Sequence, residues 1–274
     1  MILFSVLWVL LLLVVPATLN KFSVFKINFW VWFIAILLLN IGYFVTGLFR
    51  KFRKLKKIWI PLLSGVFLFY AFYYLLNSFI YMSLSQISYY YLSFPLLLGV
   101  VTLVLSRDKK SVINRIAVIL SLCGTGIYLY QKIMIGSVSG MLLIIGSAML
   151  FALYLFMVNK DKNKVFITIY FSAITGFLLS LAYLLLKSSF TLPSFKELAT
   201  FGLMGIIYYL LTLCISYSYK LSDSSKTVSK AYSLVLVYFA YFELFRNSTY
   251  QLKDLVAVII ISIAIILTFF DQSI

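Results

Sequence analysis

The chain has 274 residues, 64% of them hydrophobic and only 11% charged, with a formal charge of +16. Soluble domains run at about 45–50% apolar and about 25% charged, so the polar shell of a soluble protein is missing; a soluble enzyme, a disordered chain and a secreted disulfide scaffold are excluded. The basic residues sit in short clusters between long apolar runs, which leaves no soluble region to present them to nucleic acid, and the absence of histidine removes His-based metal sites and His general bases.

A helix crossing about 30 Å of hydrocarbon needs about 20 apolar residues. Ten runs meet or approach that length, at about 2–19, 28–49, 58–83, 86–106, 115–131, 137–158, 165–187, 198–219, 227–245 and 253–270. In the first run, Val15-Pro16-Ala17 loosely resembles a signal-peptide cleavage region, but no positive charge precedes Lys21, so this run is expected to persist as a span. Trp30 and Trp59 open the second and third spans as an interfacial aromatic belt would. The boundary between the third and fourth, Leu84-Ser85-Gln86, is the least marked, and Pro193 falls in the connection before the eighth. Cys123 and Cys214 lie inside apolar runs and read as packed thiols rather than a disulfide. The connections are short, so the expected fold is all-α and integral to the membrane, with no soluble domain and no cofactor or metal.

The loops after spans two, four, six and eight hold 16 of the 23 basic residues, beginning with Arg50, Lys51, Arg53, Lys54, Lys56 and Lys57. Positive-inside logic places those loops, and with ten spans both termini, in the cytoplasm. The plasma (inner) membrane is the expected location. Attraction of the same charges to anionic lipid coexists with this and would not create the alternation.

Tyr73-Tyr74-Leu75-Leu76 recurs as Tyr208-Tyr209-Leu210-Leu211, an offset of 135 that also carries Asp108 onto Glu243. Five spans is an odd number, so the second half would enter the membrane from the opposite side. This predicts ten helices as an inverted five-plus-five repeat, with halves at 1–135 and 136–274.

The run from Ser64-Gly65 through Tyr73-Tyr74, Ser88-Tyr89-Tyr90-Tyr91-Leu92-Ser93-Phe94-Pro95, Asp108 and Leu122-Cys123-Gly124 resembles the first half of EamA-type members of the drug/metabolite transporter superfamily. The offsets from Pro95 to Asp108 and from Lys230 to Glu243 are equal, at 13, and that from Asp108 to Gly124 is 16. The resemblance covers nearly the whole chain and marks a divergent member. Asp108 stands for the usual Glu, Lys230 for the second-half proline and Ala117 for a common glycine. The tenth span lacks its glycine and the first its Trp-Gly pair. The resemblance implies ten spans, cytoplasmic termini, and spans three, four, eight and nine around a central path.

Polar groups at mid-depth are costly unless they face a cavity. On span three Tyr70, Tyr74 and Asn77 fall at i, i+4 and i+7, and on span eight Tyr209, Thr212 and Ser216 share a face. With Tyr91 on span four, these are the candidate substrate-binding residues; packing or interfacial roles stand beside that reading for each tyrosine, and interhelical hydrogen bonding for Asn77. Pro95 would free a backbone carbonyl beside a cavity, or only kink its helix. Lys226 and Lys230, at i and i+4 on span nine, either snorkel to the headgroups or recognise an anionic or phosphorylated solute. The resemblance makes Glu243 more a helix-end element than a proton-coupling group. Gly136-x-x-x-Gly140 would allow close helix packing, and Asn247-Ser248-Thr249 fits a glycosylation sequon.

The expected activity is secondary, non-ATP transport of a small polar metabolite by alternating access. The expected partners are that solute and the bilayer, and the chain is a monomer or homodimer. An intramembrane lipid-modifying enzyme and a structural or assembly protein are the alternatives. The charge pattern has a direct check. Cysteines placed in the 50–57 loop should be labelled by membrane-impermeant maleimide only after cells are opened, and labelling in intact cells would overturn the orientation.

Overall fold

The computed structural model describes residues 2–19, 21–46, 58–83, 86–87, 97, 112–130, 137–159, 165–186, 192–221 and 252–270. These residues form α1 (Ile2–Leu19), α2 (Val24–Thr46), α3 (Trp59–Ser78), α4 (Val112–Tyr130), α5 (Val138–Asn159), α6 (Val165–Leu186), α7 (Phe195–Leu221) and α8 (Leu252–Phe270). Five of the described helices carry a stretch long and apolar enough to cross a membrane: Val24–Val45, Trp59–Ser78, Val138–Val158, Val165–Leu186 and Phe195–Cys214. Shorter apolar stretches, Val6–Pro16, Ile116–Ile127 and Leu255–Leu267, lie within α1, α4 and α8. The expected spans at 86–106 and 227–245 fall outside the described residues, apart from positions 86, 87 and 97.

Local sequence fixes the helix ends. Ser23 caps α2 by accepting from the Lys26 N–H at 3.4 Å. At α7, Glu197 reaches back to the Ser194 N–H at 2.8 Å, one arm of a capping box. Pro61 stands in the first turn of α3, where a missing N–H leaves no helical bond unmade. The apolar run of the third span extends to 83, but α3 ends at Ser78 and the chain turns over 79–82. Gln86 then accepts from the Ser83 N–H at 3.0 Å.

The surface differs from that of a soluble protein. Large apolar side chains face outward, among them Phe44 at 81% and Leu186 at 82% exposure, while Ser64, Ser147, Ser172, Ser180 and Asn28 are buried. Water would penalise that surface and hydrocarbon does not. Most buried hydroxyls bond within their own helix: Ser172 to the Thr168 carbonyl at 2.7 Å and Ser180 to the Gly176 carbonyl at 2.8 Å are examples. Ser147 instead crosses from α5 to the Ala71 carbonyl on α3 at 2.7 Å, and the Ser64 and Ser172 hydroxyls meet between α3 and α6.

The most extensive packings join α3 to α5 and α6, α2 to α6 and α7, α1 to α7, and α4 to α8. Lesser ones join α2 to α3, α6 to α7, α5 to α6 and α1 to α2. Two crossings bring backbones together in the same way. A Cβ on Gly65 of α3 would stand 2.8 Å from the Ser172 carbonyl oxygen and 2.5 Å from the Thr175 Cβ of α6. A Cβ on Gly205 of α7 would stand 3.4 Å from the Val31 carbonyl oxygen and 2.8 Å from the Ile34 Cβ of α2. Gly140 likewise sits against Met82, where its Cβ would meet Cγ at 2.5 Å; Gly136 lies outside the described residues.

Some smaller expectations change. Trp59 is exposed at the start of α3, as a belt residue would be. Trp30, however, is well inside α2, stacks on Phe201 of α7 with centroids 6.4 Å apart and meets Phe33 edge-on. Both cysteines are free, but Cys123 is exposed on α4 rather than packed, and Cys214 is half-buried. Lys26 stands 5.1 Å over the Phe22 ring.

The glycine crossings give a stability test. Gly65→Ala should lower stability by about 1–3 kcal/mol, because its new carbon meets backbone and a branched side chain that cannot give way. Gly126→Ala, with nothing within 4 Å of the added carbon, should be neutral or gain up to about 1 kcal/mol of helix preference. Thermal unfolding in detergent would read both.

Candidate functional site

Four helices turn an apolar face toward a common centre. Trp8, Leu11, Leu12 and Val15 are buried on α1, Leu68, Phe72 and Leu75 on α3, Ile144, Ala148 and Phe151 on α5, and Phe201, Met204, Tyr208 and Leu211 on α7. These spacings of three and four residues each make one helical stripe. Where the stripes meet, Trp8, Leu68, Ala71, Phe72, Leu75, Phe151 and Tyr208 line a cavity of about 10 Å³, the space of about one water. Trp8 and Phe151 stack across it with centroids 5.2 Å apart. Phe72 and Tyr208 meet at 6.1 Å. The Trp32 indole of α2 lies edge-on to Tyr208 at 4.8 Å; a Cβ on Gly176 would stand 2.9 Å from that indole, so α6 carries a glycine where Trp32 needs room.

This centre holds polar groups that no described residue bonds. Among the described residues, the Tyr208 hydroxyl, the Trp32 Nε1–H and both ends of the Asn28 side-chain amide are buried without a hydrogen-bond partner. Asn28 lies one turn before Trp32 on α2 and is 0% exposed. Leaving one such group unpaired costs about 1–3 kcal/mol. Four unmet donors and acceptors on three neighbouring side chains are a costly arrangement for packing alone, and an arrangement ready to bond a guest.

Five of the residues singled out from sequence have described side chains, and they lie outside the lining of this cavity. Tyr70 and Tyr74 are neighbours, rings 6.1 Å apart. The Tyr70 hydroxyl meets that of Tyr183 on α6 at 3.3 Å, in an aromatic group with Phe25, Phe69 and Tyr73. The Tyr74 ring lies on Gly146 of α5, and the Tyr209 hydroxyl on Gly42 of α2. Asn77 donates to the Tyr73 carbonyl of its own helix at 2.7 Å, and Thr212 to the Tyr209 carbonyl at 2.7 Å. Tyr70 and Tyr74 are thus brought together, and none of the five lines the central cavity. The Ser216 side chain, and Tyr91, Pro95, Lys226, Lys230, Glu243 and Asp108, lie outside the described residues. No group of His, Cys, Asp or Glu among the described residues could hold a metal ion.

The fold defines the chain as an all-α, multi-pass membrane protein. No family model matches the sequence, and no curated protein matches it. Among solved structures 28 chains are similar. One crystal structure superposes with a TM-score of 0.70 at 13% sequence identity, over 97% of this chain and 94% of its own. At that identity the likeness establishes a shared fold alone.

Tyr208→Phe provides a test of the unpaired hydroxyl. Removing it should raise thermal stability, by about 1–3 kcal/mol, without changing the ring packing. A drop in stability would mean that the hydroxyl is satisfied.

Proposed function

We propose that the chain is a secondary transporter, an EamA-type member of the drug/metabolite transporter superfamily, built as an inverted repeat of two five-helix halves and working by alternating access. The observation that carries this reading is a symmetry of the packing. Exchange α1 with α5, α2 with α6, α3 with α7 and α4 with α8, and every principal packing of the bundle maps onto another: α3–α5 becomes α7–α1, α3–α6 becomes α7–α2, and α2–α6 and α4–α8 map onto themselves. The helix bounds support it, since α4 (Val112–Tyr130) and α8 (Leu252–Phe270) begin and end at a common offset of 140. The central cavity is lined by both exchanged pairs, α1 with α5 and α3 with α7, as a site on the pseudo-two-fold axis would be. Ten helices follow if the apolar runs at 86–106 and 227–245 also span.

The crossings suggest a register for the repeat. Gly65 and Gly205 are 140 apart, and their partners Val31/Ile34 and Ser172/Thr175 are 141 apart. We place the register there rather than at the 135 of the two Tyr-Tyr-Leu-Leu runs. Those runs have different surroundings: Tyr73 is half-buried beside Tyr183, and Tyr208 fully buried beside Trp32. Thr212 then corresponds to Phe72, and Asn77 to Tyr217.

In this reading the halves rock about the axis, and Tyr70, Tyr74, Asn77, Tyr209 and Thr212 flank the path that opens on either side of the centre. The expected anionic or phosphorylated solute rests on Lys226 and Lys230 alone. Its test is Lys230→Gln, which should weaken uptake of such a solute where a snorkelling lysine would not.

Counterflow tests the mechanism itself. Proteoliposomes preloaded with the transported solute, without ATP, should take up labelled solute faster than empty ones. No counterflow with any of a panel of sugars, amino acids, nucleotides, phosphate esters and aromatic solutes would overturn the reading.

A further inference from the structure

We propose that the central cavity is the closed form of a site for a planar, uncharged aromatic solute with one hydrogen-bonding group, held against Trp8, Phe151 and Phe72 and oriented by the Tyr208 hydroxyl. The inference rests on the transporter reading but takes its substrate class from the cavity, in place of the anionic solute that rests on Lys226 and Lys230 alone.

The walls argue for the ring. Four of the seven lining side chains are aromatic and the other three, Leu68, Ala71 and Leu75, are aliphatic. An aromatic guest gains offset-stacked or edge-to-face contacts that a saturated one of equal size does not. Trp8 and Phe151 come from helices that belong to opposite halves, so movement between the halves changes their separation. Widening that stack by about 3.5–4 Å, one carbon–carbon contact distance, admits a single flat ring, whereas a hydrated sugar is thicker and would set its hydroxyls against hydrocarbon.

The polar groups argue for the hydrogen bond and against charge. Tyr208 lines the cavity, and its hydroxyl is unpartnered among the described residues; it can donate to or accept from a guest. The Trp32 ring packs against Tyr208, and its Nε1–H and the Asn28 amide on the same helix are further unmet groups among the described residues. Every buried polar side chain among the described residues is neutral, either a Ser, a Thr or Asn28. A carboxylate or phosphate drawn into this centre would lose its water with no opposite charge against it among the described residues, which disfavours an anion.

Calorimetry on the purified full chain in detergent tests the proposal. The probe is 4-methylphenol, which is planar, neutral and bears one hydroxyl. The comparators are 4-methylcyclohexanol, which keeps the hydroxyl without the flat ring, 4-methylbenzoate, which keeps the ring with a charge, and glucose 6-phosphate. Saturable binding of 4-methylphenol, at least about tenfold tighter than any comparator, is the expected result. Tyr208→Phe should weaken it about 3–10-fold, one hydrogen bond's worth. Ala71→Leu, which fills the cavity, should weaken it more. Equal binding of the cyclohexanol or the benzoate would overturn the proposal, and so would an affinity that neither variant changes, since that is partition into micelles. The two readings fail separately. Counterflow of glucose 6-phosphate without 4-methylphenol binding leaves the transporter and removes this site; specific 4-methylphenol binding without counterflow of any solute leaves the site and removes the transporter.

Discussion

Hydrocarbon offers no hydrogen bonds, and the architecture follows from that one constraint. Backbone groups must close on themselves, so every long element described is a helix. The same rule reaches the side chains: Thr18, Ser78, Ser180 and Ser262 each turn their hydroxyl to a carbonyl three or four residues back. A polar residue treated this way is silent and leaves the helix surface free to pack on any neighbour. The few that are not silenced define where the chain does something else. Ser64, Ser147 and Ser172 tie helices to one another, and Asn28, Trp32 and Tyr208 are left with unmet bonds among the described residues.

Packing supplies the second constraint. Apolar side chains gain little from leaving lipid for a helix interface, so close approach and shape carry the association. Gly65 and Gly205 let backbones touch in the crossings of α3 with α6 and of α7 with α2. The two are chemically unequal. The first is reinforced by the Ser64–Ser172 hydroxyl contact, and the second by Trp30 stacked on Phe201 and Trp32 edge-on to Tyr208. One crossing is tied by hydroxyls and the other by aromatic rings.

Helix existence is plain from the sequence because an apolar run of about 20 residues has one fate in a bilayer. The centre is not, for reasons of depth and direction. In the sequence Asn28 reads as the first residue of its span, with Lys26 marking the edge; α2 in fact begins at Val24, and Lys26 bends back over Phe22, which carries Asn28 a turn inward. Tyr73, Tyr74, Tyr208 and Tyr209 are adjacent in pairs, and period alone does not say which of each pair faces the axis. Tyr208 does, packed against Trp32 and Phe72, and Tyr209 turns to Gly42. Trp32 gives no signal among so many aromatic neighbours. Its place depends on Gly176, on a helix far along the chain, an association that only the folded chain reveals.

The α4–α8 pair has a consequence for how the protein is made. Gly124 of α4 sits against Ala257 and Ile261 of α8, and each helix is the other's principal partner among those described. Yet α8 leaves the ribosome about 140 residues after α4, on the order of ten seconds later at roughly 5–20 residues per second. Through that interval α4 lacks the helix that, among those described, packs against it most extensively. Assembly of this bundle therefore includes a waiting helix, and in that interval a membrane chaperone or a wrong partner would compete with α8 for it.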